Sequence, residues 1–291
     1  MKTIKTAFNL CLIALILISL TKCKNKTIDE DVVLDIDTEI IKFDADVEVT
    51  VAEIINIADQ AEIYGTVTKK TFDENDILEE CATVHKDTIL GYPNTTIITT
   101  IDFGQSNCQG QDNRKRRGKI KVTSVVQLSP SFDVISREIE SDGYHLQENE
   151  IKIMMSLQKG TVDSIIEFSV DGNVKIIYNT SQDSCEHTFS RTSSLIKGSD
   201  TRFDLTDDVW EMGGSTSGYR KDGKNYESEI TEALVKKYYC RVFDMGKIVF
   251  SIEGENDYEI DFGAGENASC NSTVDINVNG ETVEQIDINI E

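Results

Sequence analysis

Cysteine is the residue type whose positions in this sequence indicate the most specific chemistry. The tetrapeptide "IDFG" occurs at 101–104 and again at 260–263, with a cysteine 20 residues before each copy and another within ten residues of its first residue. The amino terminus has the lysines and apolar run of an export signal, described below. Cysteines of exported chains are more often paired in disulfides than bound to metal. The repeat therefore predicts two disulfides, Cys81 to Cys108 and Cys240 to Cys270. Each would close a loop of about thirty residues and stabilise the fold by roughly 3 to 4 kcal/mol.

Cys185 is the remaining cysteine of the body of the chain, and two interpretations apply to it. In the first it is a half-buried strand residue beside Phe189. In the second it is a nucleophile or redox sensor, which would need a base nearby. His187 lies two residues further on and would share its strand face. Two residues alone do not define a site, so we predict no catalytic role.

The segment "RKRRGKIK" at 114–121 is the one basic cluster of an acidic chain. One interpretation is that its side chains pair with nearby carboxylates, each exposed pair contributing ~1 kcal/mol or less. The other is an anion-binding site formed by Arg114, Arg116 and Arg117 for phosphate or carboxylate groups of envelope glycolipid or polysaccharide, since arginine binds such groups in a bidentate geometry. Convergence of the three side chains favours the site, and alternation across a strand favours the pairs.

Other patterns that support enzyme chemistry are weak. The sequence has three histidines, spread over a hundred residues, with no HExxH and no Cys-x-x-Cys. "GSTSG" at 214–218 places Thr216 where a nucleophile elbow needs serine. Trp210 and Tyr219 are candidates for an aromatic platform that stacks on sugars, although such residues more often fill a core. We therefore predict no catalytic residues, no metal site and no cofactor.

The amino terminus has the features of an export signal. Two lysines precede the apolar run Ala7 to Leu20, which is shorter than the ~20 apolar residues of a spanning helix. The run ends in "LTKC", which resembles the lipobox of bacterial lipoproteins, with Cys23 as the acylated residue. We expect a signal peptide at 1–22 and a lipid anchor at Cys23 on the outer membrane or cell surface; the alternative is a secreted or periplasmic protein.

The charge of the chain argues against one class of partner. Removal of residues 1–22 takes away three lysines and leaves 26 basic against 52 acidic side chains, a net charge of −26. Phosphate backbones are bound by clustered lysine and arginine, and so acidic a protein would repel them. We therefore expect no nucleic-acid partner. The expected partners are the membrane, through the anchor, and an envelope glycan or protein.

The body of the chain reads as mainly β. After an acidic tether at 23–40, the spacing of Val51, Ile54, Ile55, Ala58 and Ala61 predicts one N-terminal helix. From residue 80 onward a period of two predicts about twelve strands. The dipeptides Asp171-Gly172, Asp222-Gly223 and Asn279-Gly280, with "SDGYHL" as a weaker case, indicate hairpin turns. We expect a single β-rich domain at 41–291, a long antiparallel meander forming a strongly twisted, half-barrel or sandwich sheet, with pseudo-repeat blocks at about 80–128 and 239–291.

Three segments together resemble a known family. "IDFGQSNCQGQDNRKRRGKI", "ALVKKYYCR" and "DFGAGENASC" are similar to cysteine-containing, β-rich lipoproteins of Bacteroidetes, of the flavobacterial type. The similarity extends over roughly residues 80 to 291. It implies export, a lipid anchor and a β fold, and it implies no activity and no catalytic residues.

Two functions from different classes follow from the sequence. The first is a non-catalytic cell-envelope lipoprotein that binds a ligand or builds surface structure. The alternative is a hydrolase that acts on envelope or extracellular polymer through carboxylates that the sequence does not identify. A deep cleft with inward carboxylates favours the enzyme, and a filled core favours the binding or structural module.

The intact mass of the mature protein tests both the anchor and the disulfides. Acylation at Cys23 should add lipid mass to a chain that begins at that residue, and reduction should add four hydrogen atoms, two for each disulfide. A chain without lipid mass would place the protein in the secreted class. An unchanged mass on reduction would exclude both bonds.

Overall fold

The computed structural model describes residues 38–63, 78, 81–110, 112–128, 133–162, 165–179, 184–201, 204–219, 224–238, 240, 242–263, 270 and 273–287. The predicted signal peptide, Cys23 and most of the predicted tether lie outside these residues. Helix α1 begins at Thr38, three residues before the predicted start of the body.

The described part of the chain contains one α-helix and fourteen strands. Helix α1 spans Thr38–Ile63, and the strands are β1 Thr83–Ile89, β2 Asn94–Asp102, β3 Cys108–Gln109, β4 Lys115–Gln127, β5 Asp133–Leu146, β6 Asn149–Val162, β7 Ile165–Ile177, β8 Ser184–Lys197, β9 Val209–Tyr219, β10 Asn225–Lys237, β11 Met245–Ile252, β12 Tyr258–Asp261, β13 Thr273–Val278 and β14 Glu281–Asp287. A short 3₁₀ turn, Leu205–Asp207, lies between β8 and β9.

The fourteen strands form one antiparallel sheet in which spatial order follows chain order. The path runs from β1 through β2 and β4 to β14, and the short β3 pairs with β4 at one side. The sheet does not close on itself, because β1 and β14 are the two ends of the path. The mainly β class, the antiparallel meander and the single N-terminal helix are thus confirmed.

The turn predictions have mixed outcomes. Asn279 and Gly280 both have positive φ, 54° and 82°, and they join β13 to β14 as predicted. The prediction at Asp171-Gly172 is wrong, because both residues pair within β7. A Cβ on Gly172 would lie 2.6 Å from Phe189 Cζ, so this glycine permits close packing rather than a turn. "SDGYHL" likewise lies inside β5, at a register shift. Asp222-Gly223 lies outside the described residues.

Helix α1 crosses the strands instead of running along them. Arg137, Leu157, Val170 and Arg191 are register partners and form one row across β5, β6, β7 and β8. Arg137 binds Asp59 and Arg191 binds Glu48, eleven residues apart on α1. Three strand spacings correspond to ~14 Å and eleven helical residues to ~16 Å. The helix axis therefore follows the row, across the inner face of the sheet.

Buried ion pairs attach α1 to the strands at several points. The two terminal guanidinium nitrogens of Arg191 donate to the Glu48 carboxylate, and Nη2 also donates to Thr216 Oγ1 at 2.7 Å. Arg137 donates to Asp59 and Glu62. Arg191 and Glu48 have side chains that are only 5% and 1% exposed. The charged groups thus leave water together, which fixes the position of the helix along its axis.

A third set of ion pairs binds α1 at Glu53. Glu53 is five residues after Glu48, a rotation of about 140° around the helix, so it lies on the opposite side of α1. Arg116 is fully buried and donates to Glu53 Oε1 at 2.6 Å and to Asp112 Oδ2 at 2.6 Å. Arg114 also donates to Glu53. Strands β5 and β8 therefore contact one side of the helix, and β4 contacts the other.

The sheet curls around the helix. Six strand spacings separate β4 from β10 along the sheet, which would be ~29 Å if the sheet were flat. Yet the charge of Arg114, next to β4, acts on Lys236 of β10. Tyr238, just after β10, accepts a 3.0 Å hydrogen bond from Gln60 of α1. Only a curled sheet brings these residues to the same interior.

The repeated IDFG segments have the same local structure. Each ends a strand, β2 or β12, and in each the aspartate Oδ1 accepts a 2.8 Å hydrogen bond from the amide two residues on, in Gly104 and Gly263. The aspartate therefore caps a turn amide in both copies. The adjacent cysteines are bonded as predicted, Cys81 to Cys108 and Cys240 to Cys270, with Cα atoms 5.4 and 4.8 Å apart.

A second repeated segment, which the sequence interpretation missed, completes this unit. "GKI" occurs at 118–120 in β4 and at 246–248 in β11. In both copies the carbonyl oxygen of this glycine accepts a hydrogen bond from the phenylalanine N–H of IDFG, at 2.9 and 3.0 Å. The lysine then pairs with the IDFG aspartate, as Lys119 with Asp102 and Lys247 with Asp261. The GKI strand follows IDFG in the first copy and precedes it in the second, so a search for a direct repeat does not detect it.

Within the described part of the chain, no helix has the length and apolar content of a segment that crosses a membrane.

Replacement of one member of a buried pair should destabilise the protein strongly. Glu48→Gln leaves the Arg191 charge buried without its counter-ion, so we expect a loss of about 3 to 5 kcal/mol in the free energy of unfolding. The matched control is Glu140→Gln, which breaks an exposed pair with Lys121 and should cost about 1 kcal/mol or less. Urea titrations measure both, and equal losses would contradict the proposed role of the buried pair.

Candidate ligand-binding site

A cavity lies beside one stripe of helix α1. From residue 47 to residue 62 the helix is buried on all sides except at five half-buried residues. These five, Ala52, Ile55, Asn56, Asp59 and Glu62, all line a cavity of about 470 Å³. Their spacing of three and four residues is that of one helix face. The helix therefore forms one wall of the cavity and packs against protein on its other sides.

The sheet forms the opposite wall in three successive rows of register partners. The floor row contains Arg137, Leu157 and Val170. The middle row contains Lys159, Phe168, Ser193 and Met212, and the outer row contains Ile166, Leu195, Trp210 and Lys236. Inward residues of a strand recur every ~6.6 Å. From the floor row the cavity therefore extends for two such steps, toward the end of the sheet where β6, β8 and β10 finish.

The cavity wall is mainly apolar. Phe168 and Trp210 contact each other in a tilted geometry with ring centroids 6.0 Å apart. Aliphatic side chains surround them, namely Ile55, Val134, Leu157, Ile166, Val170, Leu195, Leu205 and Met212. Apolar cavities of several hundred Å³ with a few polar groups are typical small-molecule sites. The sequence gives these residues the alternation of a sheet interior, and nothing in that pattern distinguishes a cavity wall from a filled core.

The carboxylates of the wall are bound by basic side chains. Arg137 donates to both Asp59 and Glu62, and Lys159 pairs with Asp133. These groups hold α1 and β5 in place along one side of the cavity. Among the described residues, no group of three histidine, cysteine, aspartate or glutamate side chains has the arrangement of a metal site.

Lys236 is a further ionisable group on the wall, at the outer row. Its Nζ donates to the carbonyl oxygen of Cys240. Burial in the protein, and secondarily the nearby charge of Arg114, lowers the pKa of Lys236 to about 7. A lysine with such a pKa is partly uncharged at neutral pH, which makes it more nucleophilic than an ordinary surface lysine. Neither composition nor spacing identifies Lys236 from the sequence.

The three arginines of the predicted anion site do not converge. Arg114 and Arg116 point inward to Glu53 and Asp112. Arg117 lies on the other face of β4 and binds Asn107 at 2.7 Å and Glu148 at 3.3 Å. The arginines thus alternate across the strand and pair with carboxylates of the protein, which is the first of the two interpretations that the sequence allowed. An external anion would have to displace those carboxylates, and binding of anions at these arginines stays a prediction.

Cys185 and His187 belong to the interior of β8. Cys185 is half-buried and packs against the core. His187 is fully buried, and its Nε2 lies 2.8 Å from the Tyr226 hydroxyl. Burial, with a smaller contribution from the Arg191 charge, lowers the pKa of His187 to about 3. The imidazole is therefore neutral at physiological pH and held by a tyrosine, as in a satisfied core residue.

Trp210 and Tyr219 do not form one aromatic platform. Both belong to β9, but Trp210 is in the outer row of the cavity, whereas Tyr219 is at the other end of the strand and 64% exposed. Nine residues of strand separate them, ~30 Å in extended backbone.

The depressed pKa of Lys236 should make stability depend on pH between about 7 and 10. The unfolded lysine has a pKa near 10.4, so in this window the unfolded chain binds more protons than the folded one, and the free energy of unfolding rises with pH. Lys236→Met removes this contribution. We expect the wild type to gain stability relative to Lys236→Met as pH rises from 7 to 10 in urea titrations. The exposed Lys121→Met should show no such trend, and parallel curves for wild type and Lys236→Met would refute the burial of the charge.

No family model, no curated protein and no solved structure matches this chain.

Proposed function

We propose that this protein is a non-catalytic cell-envelope lipoprotein that binds an apolar or amphipathic small molecule in the cavity between α1 and the sheet. The observation that carries the proposal is the cavity itself, about 470 Å³ and walled by aliphatic and aromatic side chains. Protein interiors are normally close-packed, so an open space of this size beside a buried helix calls for an explanation. A bound ligand provides it.

The character of the wall supports an amphipathic ligand. Aliphatic residues and the Phe168–Trp210 pair would bury an apolar chain or ring at ~25 cal/mol for each Å² removed from water. The basic and acidic groups of the wall are Arg137, Lys159, Lys236 and their partners. They are suited to the polar end of a ligand that cannot be buried without hydrogen bonds.

The proposed location follows from the amino-terminal sequence. The apolar run after two lysines and the "LTKC" segment support export, cleavage before Cys23 and acylation of its thiol. We therefore propose an outer-membrane or cell-surface protein with a lipid anchor, and the resemblance to Bacteroidetes lipoproteins points the same way. A secreted or periplasmic form without lipid is the alternative that intact mass tests.

The hydrolase alternative has less support from the geometry. A hydrolytic pair of carboxylates must face the substrate, one as acid and one as base or nucleophile. Asp59 and Glu62 line the cavity, but both accept hydrogen bonds from the same arginine, Arg137. Asp133 pairs with Lys159. These contacts serve to hold the walls together, and we therefore propose binding and not hydrolysis.

Uptake of a fluorescent fatty acid tests the proposed site. The mature chain should bind a dansyl-labelled fatty acid with increased emission, because the dye enters an apolar environment. Ser193→Trp on β8 and Ala52→Trp on α1 place an indole in the cavity from opposite walls. Each should weaken binding by about tenfold or more, equivalent to ~1.4 kcal/mol.

The matched control is Met154→Trp, on the outer face of β6, where the native side chain is 71% exposed. It adds the same indole outside the cavity and should leave binding unchanged. Thermal unfolding of each variant shows that the fold is intact. Absence of binding by the wild type, or equal loss in all three variants, would exclude the cavity as the binding site.

A further inference from the structure

The exposed large apolar side chains are concentrated at one end of the sheet. Among the described residues eleven such side chains are exposed, and eight of them lie at the end where β1, β4, β6, β8 and β10 finish and the next strand in the sheet begins. We call these eight residues the apolar rim: Ile89, Leu90, Tyr92, Leu128, Val162, Ile165, Ile196 and Met245.

The other end of the sheet is different. Of the three remaining exposed side chains, only Tyr219 lies at a strand end there, while Met154 is in the middle of the β6 outer face and Val283 is in β14. Single exposed apolar residues are normal on a soluble protein. Eight of the eleven lie at one end of the sheet, at five separate turns or strand ends, and this uneven distribution calls for an explanation.

The apolar rim lies at the strand ends nearest the outer row of the cavity wall. Ile165 and Ile196 are the neighbours in sequence of Ile166 and Leu195, which form the outer row of the cavity wall. Val162 is the register partner of Ile165 at the β6–β7 turn. The strand ends that expose the rim are therefore the ends toward which the cavity extends.

We propose that the apolar rim docks this protein on the surface of a zwitterionic phospholipid bilayer, with the cavity facing the membrane. Apolar and aromatic side chains at hairpin tips insert into the interface of a bilayer, and tyrosine places its ring in the apolar region and its hydroxyl in the headgroups. The inference extends the proposed function, because it assigns the source from which the apolar ligand enters the cavity.

The form of the rim favours a bilayer over a protein partner. Its residues come from five positions along a path of thirteen strands, so they are spread over a wide surface and do not form one compact patch. A protein partner needs matching pockets at each position, whereas a fluid interface accommodates separate projecting side chains. Leu90 and Tyr92, at the β1–β2 turn, are 81% and 100% exposed.

The chain before α1 also points to a membrane. Thr38 follows Cys23 by 15 residues, and an extended chain covers at most ~3.6 Å per residue, or roughly 50 Å in all. An acyl group on Cys23 would therefore keep the sheet within that distance of a bilayer. The net charge of −26 after cleavage opposes binding to anionic lipid, which is why the proposal specifies zwitterionic lipid.

Co-sedimentation with phosphatidylcholine vesicles tests the proposal. The protein is the chain from residue 23 to 291 with Cys23→Ser, so that no acyl group contributes. We expect binding that persists in high salt and is weaker to vesicles containing phosphatidylglycerol. The double variant Leu90→Asp with Tyr92→Asp should lower the partition coefficient by about tenfold or more, since it removes two large apolar groups from the interface.

The matched control is the double variant Met154→Asp with Tyr219→Asp. It removes two exposed apolar side chains and adds the same two charges away from the rim, and it should bind vesicles like the wild type. Absence of wild-type binding, or the same loss in both double variants, would overturn the proposal. So would a dimer in solution that the rim variant alone dissociates, because the rim would then join two copies of the chain.

The ligand assay separates this proposal from the proposed function. The rim variant should still take up the dansyl-labelled fatty acid from solution, and Ser193→Trp should still bind vesicles. Vesicle binding without ligand uptake by the wild type would refute the cavity and leave the rim. Ligand uptake without vesicle binding would refute the rim and leave the cavity.

Discussion

Helix α1 carries four carboxylates into the interior of a curled sheet, and an arginine from a strand meets each of them there. A lone buried carboxylate is very costly, and a paired one is close to neutral for stability. The pairs therefore do less to stabilise the fold than to select its geometry. Only one rotation and one axial position of α1 bring Glu48 to β8, Glu53 to β4 and Asp59 to β5 together, so these contacts fix how α1 lies on the sheet.

The cavity lies beside these attachments. Arginine is long, and Arg137 and Arg191 span the distance between the sheet and one face of the helix at the floor row. Arg137 also lines the cavity, so its pairs with Asp59 and Glu62 form part of the cavity wall. Small side chains on both sides, Ala52 on α1 and Ser193 on β8, leave the space between them open. The ion pairs that fix the helix thus lie next to the cavity that we propose as the ligand site.

Local patterns predicted the sheet well and its interior poorly. Alternation of apolar residues, the cysteine spacing and the Asn279-Gly280 turn depend on near neighbours in the chain, and each was confirmed. The turn prediction at Asp171-Gly172 was wrong because an Asp-Gly dipeptide can form a turn or permit close packing within a strand. Here Gly172 packs against Phe189 from the neighbouring strand, a contact that the local sequence does not reveal. The basic cluster at 114–117 could not be interpreted fully, because its inward members bind Glu53, some sixty positions earlier. The cavity depends on the separation of two surfaces, which no one-dimensional pattern records.

The sequence distance between the ionic partners has a consequence for the order of assembly. Strands that pair in the sheet are neighbours along the chain, so the sheet can grow by adding one hairpin after another at low entropic cost. Glu48, however, precedes Arg191 by 143 positions. This ion pair therefore closes a much longer loop than any hairpin of the sheet, and it can form only once the chain as far as β8 is present. The first described element of the chain thus depends, for its contact with β8, on a strand that lies more than a hundred positions after it.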